Sequence, residues 1–108
     1  MICIAFCNTI WYNDCVKCTW NKSKNEINIK KHGISFELAS KVFFDESRIE
    51  WYDEEHSIDE DRYITIGIVG EVIFVVYTER DEKIRLISAR LANKDEKEVY
   101  YENKKRKK

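Results

Sequence analysis

Four arginines, Arg62, Arg80, Arg85 and Arg90, lie on or beside apolar, alternating segments in the second half of this 108-residue chain, with His56 in the stretch before them. Cutting a ribose phosphodiester without a metal requires three things: a deprotonated 2′-hydroxyl, a stabilised phosphate charge and a protonated leaving oxygen. Such a site wants cations around one phosphate and a histidine, glutamate, tyrosine or lysine to move protons. Arginine suits the phosphate, because its planar fork donates two parallel hydrogen bonds and its charge does not titrate away. Histidine suits the proton, and His56, beside Glu54 and Glu55, is the first candidate. The plainer reading is that the arginines face solvent or pair with Glu79, Asp81 and Glu82, and that His56 is an idle loop residue. Pleating also constrains the set. Arg85 and Arg90 are five apart, so a regular strand puts them on opposite faces, with Ser88 on the face of Arg90; only a bulge or an early strand end unites them.

The elements that must position these residues read as a meander. Tyr63 to Val69 is rich in β-branched residues, Gly70-Glu71 turns the chain, Val72 to Arg80 continues it, Asp81-Glu82 turns it again and Ile84 to Arg90 ends it. Val72 to Tyr77 is apolar on both faces and belongs at the centre of the sheet. Arg48 to Asp53 supplies a short preceding strand, and Asp95-Glu96-Lys97-Glu98 opens a last helix carrying Tyr100. Tyr100 can stack on a base or assist proton transfer, although core packing is its simpler role. Towards the N-terminus, a helix from Trp20 has sparse apolar positions and stops at Gly33, with Lys30, Lys31 and His32 in a last turn that favours cations. Ser35 caps a second helix whose Phe36, Ala39, Val42 and Phe43 form an inward face.

Length and apolar content allow one domain with a modest core. Charged residues make up 36% yet sum to −1, which excludes a uniformly basic nucleic-acid binder. The charges are segregated: acids dominate from Asp45 to Asp61, whereas Arg80, Lys83, Arg85, Arg90, Lys94 and Lys97 load the last third and Lys104 to Lys108 is wholly basic. A local RNA-binding face is therefore compatible with the overall balance. No stretch has the length of a membrane span and the start lacks the marks of a signal peptide, so a cytoplasmic protein is expected. Cys3, Cys7, Cys15 and Cys18 crowd the first eighteen residues. Only seven residues part the two middle cysteines and no glycine-marked turns accompany them, so neither a zinc site nor a disulfide framework is expected.

The ordered set of Trp20, Lys31-His32-Gly33-Ile34-Ser35-Phe36, Asp53-Glu54-Glu55-His56-Ser57, Arg62-Tyr63-Ile64-Thr65-Ile66-Gly67, Thr78-Glu79-Arg80 and Ile84-Arg85-Leu86-Ile87-Ser88-Ala89-Arg90 resembles the BrnT family of bacterial toxins, small ribonucleases of type II toxin–antitoxin systems. The likeness runs from about Val16 to Tyr101. It implies an α+β, RelE-like fold: an antiparallel sheet of about four strands with two N-terminal helices and one C-terminal helix. Residues 1–15 have no counterpart in the family pattern and are expected to be an extension, with translation starting at Val16; if they are present, Ile2, Ile4, Phe6, Ile10 and Trp11 would form an added edge strand. Residues 16–103 form the toxin domain and 104–108 a basic tail.

The resemblance implies a metal-independent endoribonuclease, without a cofactor, that cleaves mRNA and inhibits translation. It implies a BrnA-type antitoxin as partner, two copies of each in a heterotetramer that meets operator DNA only through the antitoxin. The family pattern carries the residues matching Arg62, Arg80, Arg85, Ser88 and Arg90. The catalytic set expected on this basis is His56, Arg62, Arg80 and Arg85, with Arg85 foremost, and RNA contacts are expected from Lys31, His32, Ser88, Arg90 and Tyr100. The alternative is a catalytically inactive module that binds its partner and co-represses an operon.

Overall fold

The alternating segments of the second half become the centre of a single sheet in the computed structural model, which describes residues 5–6, 9–12 and 16–106. The elements are β1 (Ala5–Phe6), β2 (Thr9–Tyr12), β3 (Val16–Thr19), α1 (Lys22–His32), α2 (Phe36–Ser40), a 3₁₀ turn (Lys41–Phe44), β4 (Ile49–Tyr52), β5 (Tyr63–Val69), β6 (Glu71–Arg80), β7 (Lys83–Leu91) and α3 (Lys94–Arg106). The strand order is β1-β2-β3-β7-β6-β5-β4. Strands β4 to β7 are the four antiparallel strands expected. The sheet exceeds them because β3 pairs in parallel with β7, Cys18 beside Ile84 and Thr19 beside Arg85, and the β1–β2 hairpin extends β3. The parallel pair follows from the two helices, which carry the chain from β3 across to the far strands. Phe6, Ile10 and Trp11 fall within β1 and β2, whereas Ile2, Ile4, Cys3, Cys7, Cys15 and the tail's Lys107 and Lys108 lie outside the described residues.

Gly33 ends α1 as its position predicts, in the left-handed region at φ 72°, with its N–H donating to Ile29 O at 2.8 Å. Ser35 caps α2 by accepting from the Leu38 N–H at 3.0 Å. What holds the polar α1 to the sheet is Asn28. Its side-chain amide donates to Ala89 O at 2.8 Å and to Ile34 O at 2.9 Å, and accepts from the Ala89 N–H at 3.2 Å, so it completes the ladder of β7 beyond the reach of β3.

The two faces of the sheet carry separate cores. Ile73, Val75 and Tyr77 of β6, with Leu86 and Ala89 of β7, pack beneath Trp20, Ile34, Phe36, Ala39 and Val42. On the opposite face Val72 of β6, with Phe74 and Val76 beside it, packs with Ile64, Ile66, Ala92 and Tyr100. Each fully buried aliphatic or aromatic side chain contributes roughly 1.5–3 kcal/mol, which suits a single modest core split by a sheet. Helix α3 is pinned by Tyr100, which is fully buried and donates to Asp45 Oδ2 at 2.5 Å. That carboxylate also accepts from the N–H groups of Ile68 and Ser47. Burial pushes the Asp45 carboxyl up, but these hydrogen bonds and the charge of Lys104 outweigh it and hold the group below its ordinary value. Among the described residues no helix is long and apolar enough to cross a membrane.

Candidate active site

The bulge that the spacing of Arg85 and Arg90 demands is present. Strands β6 and β7 pair in step from Arg80 and Lys83 to Tyr77 and Leu86, and the next pair is Val76 with Ser88. Ile87 is the extra residue, and it shifts the alternation of β7 by one. Arg85 stands opposite Thr78, Ser88 opposite Val76 and Arg90 opposite Phe74, so all three share the face of β6 that carries Val72, Phe74, Val76, Thr78 and Arg80. Arg62, two residues before Ile64 of β5, joins the same face. The inserted residue thus brings Arg85 and Arg90 together on the side of the sheet that Arg62 and Arg80 already share.

That side is only partly covered by α3, and the open part holds a depression of about 510 Å³. Ile64, Phe74, Val76 and Ile87 make an apolar floor, and Trp51, His56, Arg62, Ser88 and Arg90 stand around it with the carboxylates of Asp53 and Glu55. The Nε of Arg62 is buried and has no hydrogen-bond partner among the described residues. Leaving such a donor unmatched costs about 1–3 kcal/mol.

His56 is placed by a loop that closes on itself. Ser57 Oγ donates to Asp53 O at 2.5 Å and accepts from the Arg62 N–H at 2.9 Å, while the Asp53 N–H donates to Arg62 O at 2.8 Å. The Asp53 carboxylate sits 2.9 Å from His56 Nδ1 and is only 11% exposed, against 60% for the histidine ring. Asp53, rather than the adjacent Glu54 or Glu55, is therefore the carboxylate that orients His56, and it leaves Nε2 for a ligand.

The remaining expected residues divide. The fork of Arg90 is already occupied: it bonds Glu96 twice, at 2.8 and 2.9 Å, and its guanidinium lies 3.9 Å from the Phe74 ring centroid. Glu96 also accepts from the Asn93 N–H while Asn93 Oδ1 accepts from the Glu96 N–H, a capping box that starts α3. The hydrogen bonds from Arg90 hold the Glu96 carboxyl below its ordinary value. Arg80 pairs with Glu60 at 2.8 Å in an exposed position, and Arg85 is half-buried further along the same face; neither lines the depression. Lys31 and His32 lie in the last turn of α1 and do not line the depression. Tyr100 corrects the expectation of an RNA contact: its ring is fully buried and its hydroxyl engaged with Asp45, which keeps it from stacking on a base. Burial and Asp45 together push its phenol well above the ordinary tyrosine value.

The sequence held signals for two partners that were not singled out: the i, i+3 spacing of Asp53 and His56, and the Asn93-x-x-Glu96 cap. Trp51 gave no comparable signal. Among the described residues no group of three histidine, cysteine or acidic side chains is arranged for a metal ion. Cys18 is buried, and burial pushes its thiol up to about 12, so it has no thiolate to offer a ligand.

Fold and site define a small α+β domain with an open depression lined by Arg62, Arg90, Asp53, Glu55 and an oriented His56. A family model described as "Ribonuclease toxin, BrnT, of type II toxin-antitoxin system" matches residues 20–96, and the chain belongs to that family. The 1.1 Å crystal structure of the Brucella abortus ribonuclease toxin BrnT is similar to it with a TM-score of 0.57 and 25% identity, over 69% of this chain and 94% of that one. No curated protein matches.

Proposed function

We infer that this chain is a metal-independent endoribonuclease that cleaves mRNA and stops translation, and that a BrnA-type antitoxin neutralises it in a heterotetramer that reaches operator DNA through the antitoxin. The observation that carries the reading is the bulge at Ile87, which brings Arg85 and Arg90 together on the face where His56 stands over the depression. In this reading Arg62, which lines the depression, takes the scissile phosphate with its guanidinium, and Ser88 adds a hydroxyl donor. His56 moves the proton through Nε2 while Asp53 holds Nδ1. Arg85 and Arg80, beyond the depression on the same face, track the flanking phosphates of the strand. Trp51, 41% exposed, offers a ring for a neighbouring base. Arg90 acts at one remove, fixing α3 and the Phe74 floor. The sequence points first to Arg85; the geometry points first to Arg62.

The test is 5′-end mapping of total RNA from a bacterial host after brief induction, with Arg62→Ala and Arg85→Ala beside the wild type. New ends that vanish with Arg62→Ala support the reading. Unchanged RNA ends with folded wild-type protein overturn it in favour of the inactive partner-binding module.

A further inference from the structure

Next to the depression, on the other side of Trp51, a second concavity runs between β4 and α3. Its floor is apolar, formed by Trp51, Ile66 and Val99. Asp95, Glu98 and Glu102 stand along its rim on α3, and Arg106 is the one cation among its described lining residues. The spacing explains the arrangement: positions 95, 98, 99 and 102 repeat at i, i+3, i+4 and i+7, so they make one stripe of the helix with Val99 inside an acidic border. Val99 is 55% exposed and Trp51 41%, and β4 ends the strand order, with its outer edge unpaired among the described residues. The local ion pairs engage Glu96 with Arg90 and Glu50 with Arg48, and leave Asp95, Glu98 and Glu102 without an ion pair among the described residues, although Lys94, Lys97 and Lys105 line a neighbouring concavity with Glu98 and Glu102. An apolar strip bordered by unmatched carboxylates selects an occupant that is apolar on one side and cationic at its margins.

We propose that the groove between β4 and α3 is a docking surface for a cationic amphipathic segment of a partner protein. The proposal rests on the toxin–antitoxin reading for there being a protein partner, and on the groove alone for that partner's chemistry. Lysine or arginine side chains of the segment meet Asp95, Glu98 and Glu102, and an apolar side chain between them covers Val99 and Trp51. Because Trp51 also walls the depression, an occupant of the groove abuts the site without filling it.

The probe is a synthetic fourteen-residue lysine–leucine peptide with helical amphipathic spacing, titrated into the full chain at low salt. Binding is followed by the fluorescence of Trp51, with Trp51→Phe as the blank, and by backbone amide shifts. A counterpart with glutamate in place of lysine is the control. The expected result is saturable binding of the cationic peptide only, with shifts confined to β4 and α3. The dissociation constant should rise about tenfold or more in Glu98→Lys/Glu102→Lys and about fivefold in Val99→Ser. All three positions are exposed, so the variants keep the fold, which circular dichroism verifies. Equal binding by the variants, binding of the acidic peptide, or shifts centred on the acidic 53–61 loop overturns the proposal. So does a wild-type chain that sediments as a dimer and becomes monomeric in Val99→Ser, since the occupant is then a second copy. No RNA enters this measurement. Failure here with RNA cleavage intact removes the groove and leaves the ribonuclease reading standing; loss of cleavage with binding intact does the reverse.

Discussion

Replacing Tyr100 by phenylalanine removes one oxygen and separates two roles for this residue. The ring stays packed against Ile64, Ile66 and Val72, so the loss is confined to the hydrogen bond with Asp45. A hydrogen bond to a charged group contributes about 1.5–3 kcal/mol, and for a domain of this size each kcal/mol moves the midpoint by roughly 4–8 °C. Taking the middle of both ranges, Tm should fall by about 14 °C in a calorimetric scan at neutral pH. The pH dependence has a definite sign. The folded-state pKa of Asp45 is depressed, so its contribution is present above the ordinary aspartate value and is lost as pH falls through the folded value. The gap between wild type and Tyr100→Phe should therefore narrow below about pH 4. Cleavage per folded molecule, measured well below the variant's Tm on a short RNA, should be unchanged. A Tm within 2 °C of wild type would refute the stabilising hydrogen bond to Asp45, and cleavage lost in the folded variant would refute a purely structural role for Tyr100.

Three other substitutions probe the site and its supports. Asp53→Ala should lower kcat by about tenfold or more, and less than His56→Ala, which should cost roughly 10²–10⁴-fold; equal KM values for both variants in steady-state kinetics would place the loss in proton transfer. Gly67→Ala would bring a Cβ to 2.6 Å from Val42 Cγ2 and 3.2 Å from Asp45 Oδ2, and a denaturant titration should show about 1–3 kcal/mol of destabilisation. Asn28→Ala leaves the Ala89 N–H and two backbone carbonyls without their partner, and should cost about 2–4 kcal/mol by the same titration while leaving KM for RNA unaltered.

The meander was legible because its alternation is broken by turn residues at Gly70-Glu71 and Asp81-Glu82, and Val72 to Tyr77 is central for the reason its composition gives. The helix stop at Gly33 and the Ser35 cap were legible from local chemistry alone. The site was half legible. Residue parity shows that Arg85 and Arg90 need a bulge, but nothing local distinguishes Ile87 as its seat, since the bulge is fixed by pairing with β6 and by the floor beneath it. Arg90 reads as a phosphate ligand until α3 brings Glu96 to its fork. Tyr100 reads as an available ring because its partner, Asp45, is 55 residues away and joins it only through the tertiary fold. The parallel pairing of β3 was invisible for a similar reason: a four-residue strand carries no mark of which edge it will join.

Asn28 has a consequence for how this protein fails. Beyond the short contact with β3, the outer margin of β7 would present free backbone donors and acceptors, the template on which foreign strands add. A single carboxamide from a largely polar helix caps that template at Ala89. Helix α1 buries little else, so mild heating frays it before the core melts. Inactivation on storage should thus proceed by intermolecular strand addition from a chain that is still mostly folded, at a rate that rises with concentration.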